Sequence, residues 1–319
     1  MKLAFQKIHG AGNDFVVFDN RQGSVELSDE QVQFICDRHF GVGADGVIEV
    51  RKSSREEVAF YMHYRNADGS VAEMCGNGIR CFVCYLVGNG LLSNEELAAQ
   101  SIIVDTLAGS KPITFKLDEQ GMFDRATVAM GEPSFSPESI PTTLAATQSI
   151  SVDDGTSKTV RMEQVVMQQT VMIGQVAYLV TCVNMGNPHA VIFLEYLDAR
   201  TARAFIYHPE SVDLEGPGAY LEGKTELFPQ KTNVELAATE GGNTIHMRVY
   251  ERGVGETLAC GTGACATAVV AIILGRAVQT LPVKIKMPGG ILEVEWLPNN
   301  QVTLTGSAKM VFDGILSLD

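Results

Sequence analysis

The sequence Cys75-Gly76-Asn77-Gly78 stands in front of an apolar run from Phe82 to Leu86. The same arrangement returns 185 positions later, where Cys260-Gly261-Thr262-Gly263 precedes the apolar run from Ala266 to Leu274. The segments Arg80–Leu86 and Ala264–Leu274 are apolar and of helical size, and glycine allows the tight turn by which a chain enters a helix. Each half of the sequence therefore predicts a cysteine at the start of a buried helix.

Other segments repeat in the same order around these two motifs. The paired segments are Gly12-Asn13-Asp14-Phe15 with Gly186-Asn187-Pro188-His189, Tyr64-Arg65-Asn66-Ala67-Asp68-Gly69 with Tyr250-Glu251-Arg252-Gly253, and Ala108-Gly109 with Gly289-Gly290. Similarity at a nearly constant offset is the signature of a duplicated chain. We therefore interpret the sequence as two copies of one ancestral unit.

Each copy predicts strands arranged around one helix. The segments Phe60–Tyr64 and Ile245–Tyr250 are rich in the β-branched and aromatic residues that favour strands. A helix that is apolar nearly all round is normally buried. The predicted fold class is therefore α+β, with two pseudo-symmetric lobes that each wrap strands around a central helix.

The boundary between the lobes is predicted in the segment Pro133–Ser157, which is rich in Ser, Thr, Pro and Asp. We expect residues 1–133 to form the N-terminal lobe, completed by residues 306–319, and residues 134–305 to form the C-terminal lobe. The segment Pro209–Lys224, which contains Gly216-Pro217-Gly218, is predicted to be a long surface loop.

Composition limits the class of partner. Hydrophobic residues make up 45% and charged residues 19% of the 319 residues, which is typical of a globular protein with a sizeable core. The net charge of −14 disfavours nucleic acid and anionic membrane surfaces. The N-terminus lacks a secretory pattern and no apolar run reaches about 18 residues. We expect a cytoplasmic protein that acts on a small molecule.

The seven cysteines do not form a disulfide framework, since an odd number in a cytosol-like chain argues against one. Cys81 and Cys265 lie within apolar runs and are predicted to be core residues. Cys81 and Cys84 form a C-x-x-C pattern, but their neighbours are apolar and no second pair exists. This disfavours zinc or redox chemistry there, whereas a thiol-redox role for Cys75 and Cys260 remains an alternative.

The Cys-Gly-x-Gly motifs predict acid–base chemistry. The first amides of a helix have no internal partner and carry partial positive charge, so they can bind a carboxylate. The same field is expected to lower the pKa of a thiol from about 8.5. Two thiols on opposite faces of one α-carbon could remove a proton from one side and return one to the other. That arrangement is what inversion of an amino acid requires.

The sequence resembles the diaminopimelate epimerase family, whose cofactor-independent enzymes serve lysine and cell-wall precursor synthesis. The motifs that carry the resemblance are His9-Gly10-Ala11-Gly12-Asn13-Asp14-Phe15, Asp37-Arg38-His39-Phe40-Gly41-Val42-Gly43-Ala44-Asp45-Gly46, Asn66-Ala67-Asp68-Gly69-Ser70, Met130-Gly131-Glu132-Pro133, Met185-Gly186-Asn187-Pro188-His189, Thr232-Asn233-Val234-Glu235, Tyr250-Glu251-Arg252-Gly253 and the two cysteine motifs. They cover nearly the whole chain in family order.

The resemblance implies an isomerase that interconverts L,L- and meso-diaminopimelate in the cleft between two lobes, without pyridoxal phosphate, metal or any other cofactor. For the L,L substrate it implies Cys260 as proton acceptor and Cys75 as proton donor, with His189 and Glu251 tuning the thiol pKa values. The implied substrate-binding residues are Asn13, Asn66, Gly76, Asn77, Asn187, Asn233, Glu251, Arg252, Gly261 and Thr262. Among these, Arg252 suits a distal carboxylate, because its planar fork can bind one bidentately.

Two departures from the family pattern leave questions open. Gly46 stands where some relatives carry a glutamine, and Phe312 stands where some carry a tyrosine that serves dimer contacts. A homodimer is thus an expectation that the resemblance alone does not settle. The alternative functions are a same-fold racemase or epimerase of another amino acid, such as histidine or hydroxyproline, or a non-catalytic thiol-redox or binding protein. Asn77 argues against the proline type, which usually has a histidine in the first cysteine motif.

Overall fold

The structure is a computed structural model that describes residues 1–153 and 160–318. The helices are α1 (Asp29–Cys36), α2 (Gly76–Gly88), α3 (Asn94–Ala99), α4 (Ala199–Tyr207), α5 (Glu215–Gly223) and α6 (Gly261–Ile273). The strands are β1 (Lys2–Gly10), β2 (Asn13–Asp19), β3 (Gly46–Lys52), β4 (Phe60–Asn66), β5 (Val71–Ala72), β6 (Ser101–Thr106), β7 (Gly109–Leu117), β8 (Phe123–Gly131), β9 (Gln148–Asp153), β10 (Val160–Val165), β11 (Gln169–Ile173), β12 (Val176–Asn184), β13 (Pro188–Phe193), β14 (Asn233–Gly241), β15 (Thr244–Glu251), β16 (Gly255–Thr257), β17 (Val283–Met287), β18 (Gly290–Trp296), β19 (Val302–Ser307) and β20 (Lys309–Ser317). This mixture confirms the predicted α+β class.

The chain divides into two compact units. The first comprises Met1–Ala129 and Thr305–Asp319, and the second comprises Met130–Leu304. The C-terminal strand β20 pairs antiparallel with β1, which is why the end of the chain belongs to the first unit. The second unit is formed by one continuous segment.

The two units repeat one order of strand pairings. In the first unit β1 pairs antiparallel with β2, β2 parallel with β3, β3 antiparallel with β4, and β4 parallel with β6. In the second unit β12, β13, β14, β15 and β17 pair in the same succession of directions. The repeated topology confirms the duplication inferred from the sequence.

Helix α2 is the buried helix of the first unit. Ile79, Phe82, Val83 and Leu86 are completely buried, and the helix packs against β1, β2, β3, β4 and β20. Burying each of these four side chains stabilises the unit by about 1.5–3 kcal/mol. The apolar run between Phe82 and Leu86 thus correctly predicted a central helix.

Helix α6 has the corresponding place in the second unit. Its residues from Gly263 to Ala271 are buried on all sides, and it packs against strands from β12 to β18. Alanine is frequent in this run, which favours the helix and lets strands approach it closely. The predicted helix at Ala264–Leu274 is confirmed within one residue at its C-terminal end.

The expectation of a surface loop at Pro209–Lys224 was wrong. This segment is largely helix α5, because Pro217 lies in the first turn, where an amide hydrogen is not needed. A Cβ at Gly218 would lie 2.7 Å from Tyr250, so this glycine permits close packing of α5. Within Pro133–Ser157, where the boundary between the lobes was expected, Phe135 is completely buried and β9 forms; residues 154–157 lie outside the described residues.

A membrane span was not expected from the hydropathy of the sequence. Among the residues that the structure describes, no helix combines the length and apolar character needed to cross a bilayer.

Candidate active site

Cys75 is the N-cap of α2. Its backbone is extended, with φ −136° and ψ 120°, and its Sγ accepts a hydrogen bond from the amide of Gly78 at 3.3 Å. The thiol thus takes the place that a serine or aspartate side chain usually takes at a helix start. Cys75 is partly exposed.

Cys260 caps α6 with the same geometry. Its φ is −131° and its ψ 118°, and its Sγ accepts from the amide of Gly263 at 3.3 Å. The hydroxyl of Thr262 lies 3.5 Å from the same sulfur. The prediction that both cysteines begin helices is therefore confirmed, and the two units contain matching half-sites.

Each half-site offers backbone amides to an anion. In α2 the first two amides belong to Gly76 and Asn77, and in α6 they belong to Gly261 and Thr262. Helix geometry gives these amides no acceptor four residues earlier, and the aligned peptide dipoles add partial positive charge. A carboxylate is the ligand that such a helix start binds most readily.

The pKa of the Cys260 thiol differs from the sequence expectation. Burial raises this pKa well above its ordinary value, and the negative charges of Glu251 and Glu235 raise it further. The hydrogen bonds from Thr262 and the Gly263 amide act in the opposite direction but are weaker. The helix start thus lowers this pKa as expected, but burial of Cys260, which is only 6% exposed, and the charges of the two carboxylates outweigh its effect.

Asn13 connects Cys75 to the rest of its half-site. The Oδ1 atom of Asn13 lies 3.8 Å from Cys75 Sγ and accepts from Nδ2 of Asn77 at 3.2 Å. Its own Nδ2 donates to Asp45 Oδ2 at 2.6 Å. The structure thus brings together three of the predicted site residues and adds Asp45 as their support.

Arg80 is a support of the first half-site that the sequence interpretation missed. It is completely buried, and its guanidinium donates to Gly76 O at 2.9 Å and to Asn77 Oδ1 at 2.8 Å. These bonds fix the first turn of α2, which presents the amides of Gly76 and Asn77. The sequence signal for this role was that Arg80 is the one charged residue in a predicted helix that is otherwise apolar.

Asn66 and Gly46 lie opposite each other in the β3–β4 pair. The Asn66 side chain donates to Ser70 Oγ at 3.0 Å. A Cβ at Gly46 would lie 2.6 Å from both Arg65 O and the Tyr64 ring. Glycine is therefore required at position 46 on steric grounds, because a larger residue would displace the neighbouring strand.

His189 and Asn187 are linked in the second half-site. His189 is completely buried on β13; its Nε2 lies 2.9 Å from Asn187 Oδ1, and its Nδ1 lies 2.6 Å from Glu235 Oε1. Glu235 is also completely buried and was missed as a site residue. A glutamate among the apolar residues of β14 was the sequence signal for it.

Asn233, Glu251 and Arg252 lie at the ends of β14 and β15. Asn233 is 2% exposed; its Nδ2 donates to Pro188 O at 2.9 Å, and its Oδ1 accepts from the Arg252 amide at 2.9 Å. The Arg252 side chain is exposed, and its Nη1 donates to Gln230 O at 3.1 Å. Glu251 accepts a hydrogen bond from the Thr257 hydroxyl. Asn233 thus fixes the backbone from which Arg252 projects.

The other cysteines are core residues or lie near the core. Cys81 and Cys265 are completely buried, as predicted, and burial raises the pKa of Cys81 well above its ordinary value. Cys84 is partly buried, and burial raises its pKa to about 11. Such thiols are poor nucleophiles and poor metal ligands. Over the ranges 1–153 and 160–318, the structure contains no group of three His, Cys, Asp or Glu side chains placed to hold a metal ion.

Comparison with known structures finds the same fold in a solved protein. A solved structure of a hydroxyproline epimerase from Agrobacterium vitis superimposes with a TM-score of 0.66 at 13% sequence identity, covering 100% of this chain and 92% of that chain. At this identity the match concerns the fold alone.

Sequence comparison identifies the family. The family model described as diaminopimelate epimerase matches residues 5–136 and 181–311. The diaminopimelate epimerase of Thermosynechococcus vestitus is 42% identical over 99% of this chain and 100% of its own length. That of Leptospira biflexa is 36% identical over 98% of this chain and 99% of its own length. The chain therefore belongs to the diaminopimelate epimerase family.

Proposed function

We propose that the chain interconverts L,L- and meso-diaminopimelate with Cys75 and Cys260 acting on opposite faces of one α-carbon. The observation that carries this proposal is the matched pair of half-sites, each a cysteine N-cap followed by two amides for which helix geometry provides no acceptor within the helix. The proposal requires both helix starts to converge on a single bound substrate. Family membership supports the reaction, and the matched geometry supports the two-thiol mechanism.

The amides would hold the reacting carboxylate. Removing the α-proton moves negative charge onto that carboxylate, so donors fixed in advance stabilise the transition state more than the ground state. One such donor often contributes about 3–4 kcal/mol. The Gly76, Asn77, Gly261 and Thr262 amides could together supply this stabilisation.

The proton transfers balance over one turnover. For the L,L substrate, the Cys260 thiolate takes the α-proton and becomes a thiol, while the electron pair of the C–H bond passes to the α-carbon and carboxylate. The Cys75 thiol then delivers its proton to the opposite face and becomes a thiolate. This leaves Cys260 as a thiol and Cys75 as a thiolate, which is the state that starts the reverse reaction, and proton exchange with solvent restores the state that starts the forward one. These steps employ only the two thiols and the amides, so the proposal needs no cofactor.

Substrate binding would help to ionise Cys260. Burial and the charges of Glu251 and Glu235 raise the pKa of this thiol in the unliganded protein. An α-ammonium group beside Glu251 would offset one of these charges and favour the thiolate. Together with His189, Glu251 would in this way tune the thiol pKa according to whether substrate is bound.

The distal end of diaminopimelate is a second amino-acid group. The exposed guanidinium of Arg252 suits its carboxylate, and Asn66 and Asn187 carry neutral amides that can donate or accept. Asn13 and Asn233 would act mainly by holding Cys75 and Arg252 in place. Replacing Arg252 with lysine should raise the KM for diaminopimelate more than it lowers kcat, because the distal end does not react.

The decisive experiment is α-proton exchange in deuterium oxide with a panel of amino acids. Diaminopimelate should exchange and epimerise, whereas histidine, proline and hydroxyproline should not. Exchange of another amino acid with none of diaminopimelate would disprove the assigned substrate. A Cys75→Ser variant should lose epimerisation but still bind substrate, and a Cys84→Ser variant, as matched control, should keep full activity.

We further propose that the protein is a cytoplasmic homodimer that binds neither nucleic acid nor membranes. The net charge of −14 supports the lack of such partners. Strand β20 exposes Met310, Val311, Phe312 and Ile315, an apolar surface that a second copy could cover. Sedimentation velocity should show a dimer for the native chain and a shift towards monomer for Phe312→Asp; an unchanged value would argue against β20 as the contact.

A further inference from the structure

Glu235 is a completely buried carboxyl group near the start of β14. Burying a carboxylate is costly unless a partner compensates it. Its Oε1 lies 2.6 Å from His189 Nδ1, and its Oε2 has no hydrogen-bond partner among the residues that the structure describes. An unpartnered buried oxygen is tolerated better on a neutral group than on a charged one.

The hydrogen bonds of His189 determine how many protons His189 and Glu235 hold between them. Asn187 Oδ1 can only accept, so His189 Nε2 must carry a hydrogen. The short contact on the other side then needs one proton between Nδ1 and Oε1. With that proton the pair of His189 and Glu235 has no net charge. Burial raises the pKa of Glu235, although the charge and hydrogen bond of His189 act in the opposite direction. The raised pKa agrees with one proton held between the two side chains.

The carboxyl group of Glu235 also lies against the first turn of α6. A Cβ at Gly263 would be 2.8 Å from Glu235 Oε1 and 3.3 Å from Cys260 Sγ. Glu235 is thus close enough to Cys260 for its charge to raise the pKa of the thiol. The same carboxyl group therefore influences both the orientation of Asn187 and the ionisation of Cys260.

We propose that Glu235 is a positioning residue that, through His189, turns the amide group of Asn187 towards substrate, and that the proton it shares with His189 limits the negative charge beside Cys260. With its Oδ1 held by His189, Asn187 can direct its Nδ2 hydrogens only away from His189, where a substrate oxygen could accept them. This inference rests on the proposed epimerase function for the role of Cys260, but the proton arrangement does not depend on it.

The surroundings of Glu235 define which ionisations could affect it. His189 on β13 and Glu251 at the end of β15 act on its charge, and its own charge acts on Cys260 at α6 and on Cys182 in β12. On the other face of β14, Val234 and Leu236 pack against apolar side chains of α4 and α5. In these buried surroundings, gain or loss of the proton shared by His189 and Glu235 therefore changes the electrostatic potential around Glu235 substantially.

The proton arrangement can be tested on the unliganded protein by ¹⁵N NMR of labelled histidine, with the His189 signals assigned by a His189→Asn variant. The expected result is a protonated Nε2, and an Nδ1 shift that differs between the native chain and Glu235→Gln because the shared proton is lost. A bare Nε2, or the same Nδ1 shift in both proteins, would overturn the inference. Neither outcome depends on the substrate of the enzyme.

Kinetics test the positioning role. Glu235→Gln can still donate to Nδ1 and should keep KM close to that of the native chain, while its pH–rate profile loses one ionisation on the alkaline side. Glu235→Leu removes the bond to His189 and should raise KM about tenfold or more. A native KM in Glu235→Leu, or a native pH profile in Glu235→Gln, would contradict the proposal. If Glu235→Leu does not fold, the proposal is tested by the NMR result and by the pH–rate profile of Glu235→Gln.

A matched control is Glu49→Gln in the first unit. Glu49 is also buried; it pairs with Arg51 and Asn20, His63 Nε2 lies 3.9 Å from its Oε1, and it belongs to neither half-site. Its substitution should lower stability without changing the pH–rate profile. If both glutamine variants changed the profile in the same way, the effect would reflect loss of a buried charge in general, and the specific role of Glu235 would be refuted. Failure of diaminopimelate to exchange in deuterium oxide would instead refute the function and leave the NMR result standing.

Discussion

The side chain of Asp45 determines which end of the Asn13 amide faces Cys75. Asp45 Oδ2 accepts from Asn13 Nδ2 at 2.6 Å, which leaves Asn13 Oδ1 directed at Cys75 Sγ and Asn77 Nδ2. In the second unit, Glu235 acts on Asn187 through His189 in a comparable way. Each half-site thus contains an asparagine whose orientation depends on a carboxyl group behind it.

Replacing Asp45 with alanine should lower kcat/KM for diaminopimelate about tenfold, because the Asn13 amide could then rotate and present Nδ2 to the thiol. Steady-state epimerisation in both directions measures the effect. Asp19→Ala removes a carboxylate paired with Arg21 on the surface of the same unit and should leave kcat/KM unchanged. Equal losses in the two variants would show that Asp45 has no special role.

A second prediction concerns the reactivity of Cys260. Burial and the charge of Glu251 raise its pKa, so Glu251→Gln should lower that pKa towards the ordinary range and increase the thiolate fraction. The rate of alkylation by iodoacetamide at pH 8 should rise about threefold to tenfold, and the increase of this rate with pH should begin at lower pH. The alkylation rate is measured by mass spectrometry of Cys260 in a Cys75→Ser background.

The control for this prediction is Glu240→Gln. Glu240 is exposed and pairs with Lys286 and His246, so it should not affect the thiol. An alkylation rate that stays the same in Glu251→Gln would mean that the Glu251 charge is screened from Cys260 and does not tune it.

The sequence predicted those parts of the fold that depend on local pattern. The glycines and apolar runs after Cys75 and Cys260 placed both helix starts correctly, because a cap, a turn and a buried helix are specified within about 15 residues. The strands β4 and β15 followed from β-branched and aromatic composition. The core positions of Cys81 and Cys265 followed from their apolar neighbours.

Other features depend on contacts between distant parts of the chain and could not be predicted. Glu235 and His189 are 46 residues apart, and nothing local in β14 shows that a histidine lies beside it. The pKa of Cys260 depends on burial and on carboxylates from two strands rather than on the helix start alone. Helix α5 was missed because Gly216-Pro217-Gly218 has low helix propensity, which packing of Leu221 and Gly218 against the unit overrides.

Asp14 should contribute to stability in a pH-dependent way. Burial alone would raise its pKa, but hydrogen bonds from Arg38 and Lys7 outweigh burial and lower the pKa to about 2. Because the folded-state pKa lies below the ordinary value of 3.8, this stabilisation is complete above about pH 4 and is lost as the pH falls towards 2. Asp14→Asn should therefore lower the free energy of unfolding by about 2 kcal/mol at pH 7, with a smaller difference at pH 3.

Urea denaturation at several pH values measures this difference. Asp124→Asn, which removes a surface pair with Arg125, should change stability by less than about 0.5 kcal/mol at every pH. A destabilisation in Asp14→Asn that is the same at pH 7 and pH 3 would indicate lost packing rather than lost charge.

The last prediction concerns Gly263 in the first turn of α6. Alanine is normally favourable in a helix, but here its Cβ would lie 2.8 Å from Glu235 Oε1 and 3.3 Å from Cys260 Sγ. Glu235 cannot move away easily, because it is completely buried and bound to His189. Gly263→Ala should therefore lower the free energy of unfolding by about 1–3 kcal/mol and also reduce kcat/KM, since the cap of Cys260 is displaced.

Gly88 is the matched control, because it is an exposed glycine at the end of α2 and a Cβ there would meet nothing within 4 Å. Gly88→Ala should raise the free energy of unfolding by up to about 1 kcal/mol, since alanine restricts the unfolded chain and favours helix. The opposite signs of the two variants in urea denaturation would distinguish a steric effect at Gly263 from helix propensity. If Gly263→Ala were as stable as Gly88→Ala, the close approach of Glu235 to α6, on which its action on Cys260 depends, would not exist in solution.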